Sequence, residues 1–281
     1  MAVRALVVGG TSGIGYAMAC RIAADAKASS VIVSGRTKPK TVPFANMEFR
    51  PLDATSMRQI KQYTDSFKAT QTEKLDFLIM TQGTLNLLPR TETPEGIDRK
   101  MALHYYSKQL LIRELLPALK DDAKVIIVYD GKAGSPEKLL WDDLDLKTHF
   151  SLGKAADHCI SMNDAMVQYF ASPKQQESNK RHFIHAWPGA VNTNVSKELP
   201  LYLKPVARVV YPLISVSPDK CAEYLLSGAA KYSAEGNNQG RLWINLEKGR
   251  LAPNKAIWTE DQMRNVADHT WGLIDNAIAT P

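Results

Sequence analysis

One stretch limits the fold of this chain more than any other. A short apolar run, Ala2 to Val8, ends in Gly9-Gly-Thr-Ser-Gly-Ile-Gly15, and helical periodicity follows from Tyr16 to about Ala28. Strand, glycine turn and helix in that order form the first half of a dinucleotide-binding βαβ unit. The spacing is G-x-x-x-G-x-G rather than G-x-G-x-x-G, but the chemistry is similar. Glycines let backbone approach a pyrophosphate, and the helix start offers unpaired N–H groups carrying partial positive charge. Gly9, Thr11, Ser12, Gly13, Ile14 and Gly15 are the expected contacts of such a turn.

The rest of the chain repeats the alternation. Strands are expected at Ser30–Ser34, Met47–Leu52, Leu75–Met80, Lys124–Val128, His182–Ala186 and Arg241–Asn245. Helices are expected from about Ser56 to Ala69, from Glu95 to Leu119, from Phe150 to about Ala171, from Ser217 to Lys231 and from Glu260 to Ile278. Strands alternating with helices predict an α/β fold: a doubly wound parallel sheet of Rossmann type with helices on both faces, one domain over 1–281. Val195 to Ile214 differs, being apolar, aromatic and broken by three prolines. It reads as a substrate lid at about 195–216. Peripheral membrane contact is the competing reading, because Lys197, Lys204 and Arg208 lie among its apolar residues.

Composition narrows the partners. Lysine plus arginine number 35 against 29 acids, a net charge of +6 that is scattered along the chain. Scattered charge argues against nucleic acid and suits a phosphorylated ligand. Three distant cysteines, Cys20, Cys159 and Cys221, make no C-x-x-C pair, so neither a disulfide framework nor a zinc site is expected. No stretch approaches the roughly 18 apolar residues of a membrane span. A first strand from Val3 predicts a chain without a cleaved leader, and a cytoplasmic location.

The end of the second strand lies near the adenosine ribose in such folds. An NAD site usually places an acid there, whereas this chain has Gly35-Arg36-Thr37. A guanidinium pairs with a 2′-phosphate that an acid would repel, so NADP(H) is the expected cofactor. Asp53, after the third strand, is placed to touch the adenine edge or to cap the next helix.

Gly9, Gly13 and Gly15 at this spacing, Asp53, the Phe150-x-x-x-Lys154 pattern and Pro188-Gly189-x-Val191-x-Thr193 together resemble the short-chain dehydrogenase/reductase family. The tail around Leu242-Trp243 and Trp258 looks most like retinol-dehydrogenase-like members and enzymes of fungal specialised metabolism. The resemblance implies cofactor contacts at the glycine turn, Arg36, Asp53 and Gly83, with Lys154 on the nicotinamide ribose and Val191 and Thr193 on the carboxamide. It also implies a homodimer or homotetramer, although a retinol-dehydrogenase-like tail can go with a monomer.

The family's proton chemistry does not map as well. Aligned by motif, its tyrosine falls on Phe150, its asparagine on His104 and its serine on Asp130 or Gly131, which leaves Lys154 alone in place. Phenylalanine neither gives nor takes a proton. A positioned general acid contributes roughly 10²- to 10⁴-fold, so another donor is needed, and Asp130 and His104 are the candidates. Tyr105, Tyr106 and Tyr129 read as packing hydroxyls, and Asp157 and His158 are expected to meet a partner helix. Three functions stay open: an NADP(H)-dependent oxidoreductase acting on a hydrophobic imine, iminium or carbonyl compound; a non-redox isomerase or cyclase that retains the nucleotide; and a nucleotide-binding pseudoenzyme.

Overall fold

The structure, a computed structural model, describes residues 2–25, 27–176, 180–193, 215–235, 240–245 and 249–280. Seven strands, β1 (Val3–Val8), β2 (Ala28–Gly35), β3 (Met47–Pro51), β4 (Leu75–Met80), β5 (Leu119–Val128), β6 (His182–Trp187) and β7 (Arg241–Asn245), form one sheet. Its order is β3-β2-β1-β4-β5-β6-β7, and every neighbouring pair is parallel. The order reverses between β1 and β4, where a doubly wound sheet opens a crevice at the carboxyl ends of its strands.

The sheet is covered on both faces, which explains its continuous apolar strands. Alternate residues feed two separate cores. Leu6, Leu78, Val125 and Ile127 enter one, while Val7, Val33, Ile79, Ile126 and Ile184 enter the other. The flanking helices are α1 (Gly13–Ala23), α2 (Met57–Thr70), a composite α3, α4 (Leu152–Ala171), α5 (Pro218–Ala234) and α6 (Glu260–Ala279). α3 runs through Arg99–Met101, a π-helical turn at Ala102–Tyr106, and Ser107–Leu115.

Four expectations need correction. α1 starts at Gly13, directly on the glycine turn, and stops at Ala23; Asp25 accepts a hydrogen bond from Lys27 N at 2.8 Å and turns the chain into β2. Glu95 does not begin a helix. Its carboxylate sits at the start of α2, accepting from Met57 N at 2.7 Å and Arg58 N at 3.1 Å, while Asp98 caps α3. Leu119, expected as the end of that helix, opens β5 opposite Leu75. Finally, Ser151 caps α4 by accepting from Lys154 N at 3.2 Å, so Phe150 precedes the helix. Of the lid expected at about 195–216, residues 195–214 lie outside the described residues; Val216 forms a parallel bridge with Val191.

Candidate cofactor cleft and active site

The glycine turn is built for close backbone approach. Gly9 has φ +80° and Gly13 φ +55°, conformations in which a side chain would be strained. A Cβ at Gly9 would lie 2.6 Å from Gln82 N, and one at Gly15 would overlap Thr81 Oγ1 and Gly9 O. Thr81 Oγ1 donates to Gly9 O at 3.2 Å and locks the turn onto the end of β4.

Above this cradle, α1 begins without a cap. Ser12 is its N-cap residue, yet its side chain accepts no bond from the first turn. Ser56, Ser151, Ser217 and Thr259 each cap their helices, accepting from Gln59 N, Lys154 N, Lys220 N and Gln262 N. An uncapped helix start with no acid in its first turn presents free N–H donors and the positive end of the helix dipole. That is what a pyrophosphate requires.

Gly9, Thr11, Ser12, Gly13, Ile14, Gly15, Arg36, Asp53, Gly83 and Thr193 line one cleft of about 270 Å³ at the carboxyl ends of the strands. Val8, Gly35, Leu52, Ala54, Thr81, Gln82 and Leu103 complete the wall. Arg36 is exposed, and no carboxylate pairs with it among the described residues. Asp53 turns one oxygen to Thr55, accepting from its N at 2.9 Å and its Oγ1 at 2.8 Å. The helix cap is Ser56 rather than Asp53. Thr37 is exposed beside Arg36 and does not line the cleft. Lys154, Pro188, Gly189 and Val191 are also absent from its wall, and Val191 packs into a core at 4% exposure. A larger cavity of about 1050 Å³, bordered by Tyr169, His182 and Met263, lies at the other end of the sheet, where β6 and β7 begin. Ligands of open α/β sheets bind at the carboxyl ends, so the smaller cleft is the candidate site.

Beside the cleft, the proposed proton donors fare unequally. Phe150 is half-buried, with Lys100 Nζ 5.3 Å from its ring centre. Lys100 also donates to Pro89 O at 3.0 Å. His104, one turn along, holds the start of the same loop, with Nε2 2.9 Å from Thr84 O. A Cβ on Gly83 would come within 2.6 Å of this imidazole, so glycine there makes room for the ring. Burial pushes His104 down to about 4, so it is neutral at physiological pH. Its Nδ1 is buried and has no hydrogen-bond partner among the described residues. Asp130 is half-buried and accepts from Lys132 N at 3.1 Å, as a turn aspartate does. Lys154 is exposed on the first turn of α4.

His158 meets a loop, and Asp157 a single 3₁₀ turn, Pro136–Lys138, rather than a long partner helix. His158 is fully buried, accepting from Leu140 N at 3.0 Å with Nδ1 3.1 Å from Leu144 O, and Asp157 pairs with Lys138 at 3.1 Å. Tyr105 and Tyr106 point away from the site: their hydroxyls meet Thr270 Oγ1 at 2.6 Å and His269 Nε2 at 2.9 Å on α6.

Lys108 was not singled out by the sequence, yet it is fully buried, and burial pushes its amine down to about 7. It lies four residues past His104 on α3, between the buried Ser107 and Gln109. Residue type alone argues for the surface, because lysine is rarely buried unless paired.

The sequence model described as short chain dehydrogenase matches residues 3–135, which carry the glycine turn, β1 to β5 and the composite helix. An oxidoreductase from Emericella nidulans is 36% identical over 205 residues, 69% of this chain and 60% of that protein. The chain thus spans less than two thirds of that relative. A second oxidoreductase, from Emericella variicolor, is 25% identical over 260 residues, 87% of this chain and 75% of its own. Among solved structures, the NADPH-bound carbonyl reductase from chicken fatty liver superposes with a TM-score of 0.60 at 18% identity, covering 90% of this chain and 100% of its own. The same sheet order, glycine turn and uncapped first helix, carried by a sequence with these relatives, make this chain a member of the short-chain dehydrogenase/reductase family.

Proposed function

We propose that the protein is an NADP(H)-dependent oxidoreductase acting on a hydrophobic small molecule, an imine, iminium or carbonyl compound, in specialised metabolism. One observation carries the reading: a helix start left uncapped over a glycine cradle, with Arg36, unpaired among the described residues, lining the same cleft. Bound there, the dinucleotide would supply or accept hydride. The first turn of α1 would hold its pyrophosphate, Arg36 its 2′-phosphate, and Asp53 and Gly83 its adenosine. Lys154 would reach the nicotinamide ribose, and Val191 and Thr193 its carboxamide. Leu85, Leu87 and Leu88 are exposed on the loop that His104 and Lys100 hold, and Leu152, two residues past Phe150, is exposed as well. Such a rim suits an apolar substrate.

Arg36→Ala tests the cofactor. A hydrogen bond to a charged group is worth about 1.5–3 kcal/mol, so NADPH affinity should fall by roughly 10- to 100-fold, with NADH affinity little changed. Equal losses for both would remove the 2′-phosphate from the argument. Phe150 favours a second reading, a non-redox isomerase or cyclase, since ordinary carbonyl reduction needs a proton that Phe150 cannot give. Turnover that persists with oxidised cofactor would establish that reading, and NADPH consumption coupled to product would exclude it.

A further inference from the structure

Two side chains next to the cleft play no part in the assignments above. Lys108 has 0% exposure, and no carboxylate pairs with it among the described residues. Among the described residues its ammonium meets Val128 O, at 3.4 Å, and the face of Tyr129, at 5.1 Å from the ring centre. Burying a lysine without a counter-charge is costly, and such a group needs a reason.

The second side chain is Tyr129, at the carboxyl end of β5, where doubly wound sheets place their chemistry. Its ring stacks on His104 with centres 4.6 Å apart, and Lys108 lies against it at the next turn of the same helix. Tyr129 is half-buried, and its hydroxyl takes no hydrogen bond among the described residues. Tyr105 and Tyr106 spend theirs on α6. Of the three tyrosines grouped here, only Tyr129 keeps a free hydroxyl.

We propose that Tyr129 and Lys108 are a displaced tyrosine–lysine pair: Tyr129 gives the proton that Phe150 cannot, and the ammonium of Lys108 stabilises the phenolate left behind. This rests on the oxidoreductase reading. As a carbonyl carbon takes hydride, with its two electrons, from the reduced dinucleotide, the Tyr129 O–H bond breaks and its proton forms the new hydroxyl. Solvent then returns one proton to the phenolate. Tyr129 is the catalytic residue; Lys108 is a positioning residue that acts through the field at the ring.

The surroundings leave Lys108 as the group that titrates near neutrality. Burial pushes the Tyr129 phenol up, and Asp130 and Asp157 push the same way, so a phenolate there needs a positive neighbour. Lys108, lowered by burial to about 7, is charged below that pH and neutral above it. From α4, the Cys159 thiol facing Lys108 is raised by burial and stays protonated. His104, lowered to about 4, is neutral. Reduction should therefore weaken as pH rises through about 7.

The test uses full-length protein with NADP⁺, labelled with [13Cζ]tyrosine and [13Cε]lysine. One lysine signal, absent in Lys108→Met, should titrate near neutral pH. The Tyr129 signal, assigned with Tyr129→Phe, should shift at the same midpoint and lose that step in Lys108→Met. With 9,10-phenanthrenequinone as probe, Tyr129→Phe should lower kcat by roughly 10²-fold or more with NADPH affinity unchanged. Lys108→Arg should keep the rate at high pH where the wild type declines. A Lys108 signal titrating in the ordinary lysine range, a Tyr129 signal indifferent to Lys108→Met, or an unimpaired Tyr129→Phe enzyme would overturn the pair. If wild-type protein reduced no probe, the oxidoreductase reading would fall, and the coupled titration would decide on the pair alone.

Discussion

Phe150 stands just before the capping residue of α4, half-buried with its ring against Lys100. Phe150 does not line the cleft that holds the glycine cradle. Phe150→Tyr should therefore leave NADPH binding unchanged and raise carbonyl reduction from a low base, measured as NADPH oxidation with a ketone panel; loss of nucleotide binding would show that α4 serves the cofactor differently. His104 makes a prediction of the opposite kind, about stability. Its folded-state value, about 4, lies below the roughly 6.5 of a free histidine. Between those values the unfolded chain binds more protons, so stability is complete above pH 6.5 and drains away as pH falls toward 4, by roughly 3 kcal/mol. Urea unfolding at pH 7 and pH 4 should show this, and His104→Phe should flatten it; His158, His182 and His269, also lowered by burial, leave a residual slope. At this scale the sequence was legible where side chains act through chemistry fixed by type, as with Phe150 and the glycines. It was not legible for Lys108, because the environment that makes it unusual is assembled from β5 and α4, far along the chain.

Among elements, helix starts carry the sharpest contrast. Ser151 accepts from Lys154 N, and its loss should cost about 1 kcal/mol. Ser12 makes no such bond, so Ser12→Ala should leave the urea midpoint in place while weakening NADPH binding, read by fluorescence titration. Equal destabilisation by both substitutions would mean that Ser12 does cap α1 and the cradle is closed. The reading of 95–119 as one helix failed for reasons of the same sort. The apolar period runs on through that stretch, but Glu95 is taken by the start of α2 and Pro117 ends the helical run in a 3₁₀ turn. Within it, the π turn frees the carbonyl of His104, which accepts from Asn163 Nδ2 at 3.0 Å. Asn163 is itself held by Gln109 at 2.8 Å. Such bulges recur beside functional sites. Period counting has no means of finding one, since its partner lies on α4. The start of β5, Leu119-Lys-Asp-Asp, escaped for a related reason: it lacks apolar alternation, yet Lys120 pairs with Asp76 at 2.7 Å and holds it against β4.

For the molecule as a whole, the parallel sheet leaves β6 and β7 with few sequence-local contacts, and a buried polar cluster ties them to the rest. Asp164 of α4 is 1% exposed at its side chain and pairs with Lys255, from the segment that leads into α6. The same carboxylate accepts from Trp243 Nε1 of β7 at 2.9 Å and lies 2.5 Å from His185 Nδ1 of β6. Three other parts of the chain thus converge on one carboxylate of α4. Breaking a buried pair by removing one partner typically costs about 3–5 kcal/mol, because the remaining charge has lost its compensation. Lys255→Met should therefore lower the unfolding free energy by an amount of that order. Asp164→Asn alone should also destabilise, since it strands the Lys255 ammonium and alters the bonds to His185 and Trp243. Residues that share one network do not add. The double variant, which removes both charges together, should lose clearly less than the sum of the two single losses. None of the four residues lines the nucleotide cleft, so NADPH affinity at a temperature where each variant is folded should stay near that of the wild type. A double variant whose loss equals the sum would mean that Lys255 and Asp164 act independently. The sheet's last two strands would then be held by apolar packing rather than by this cluster.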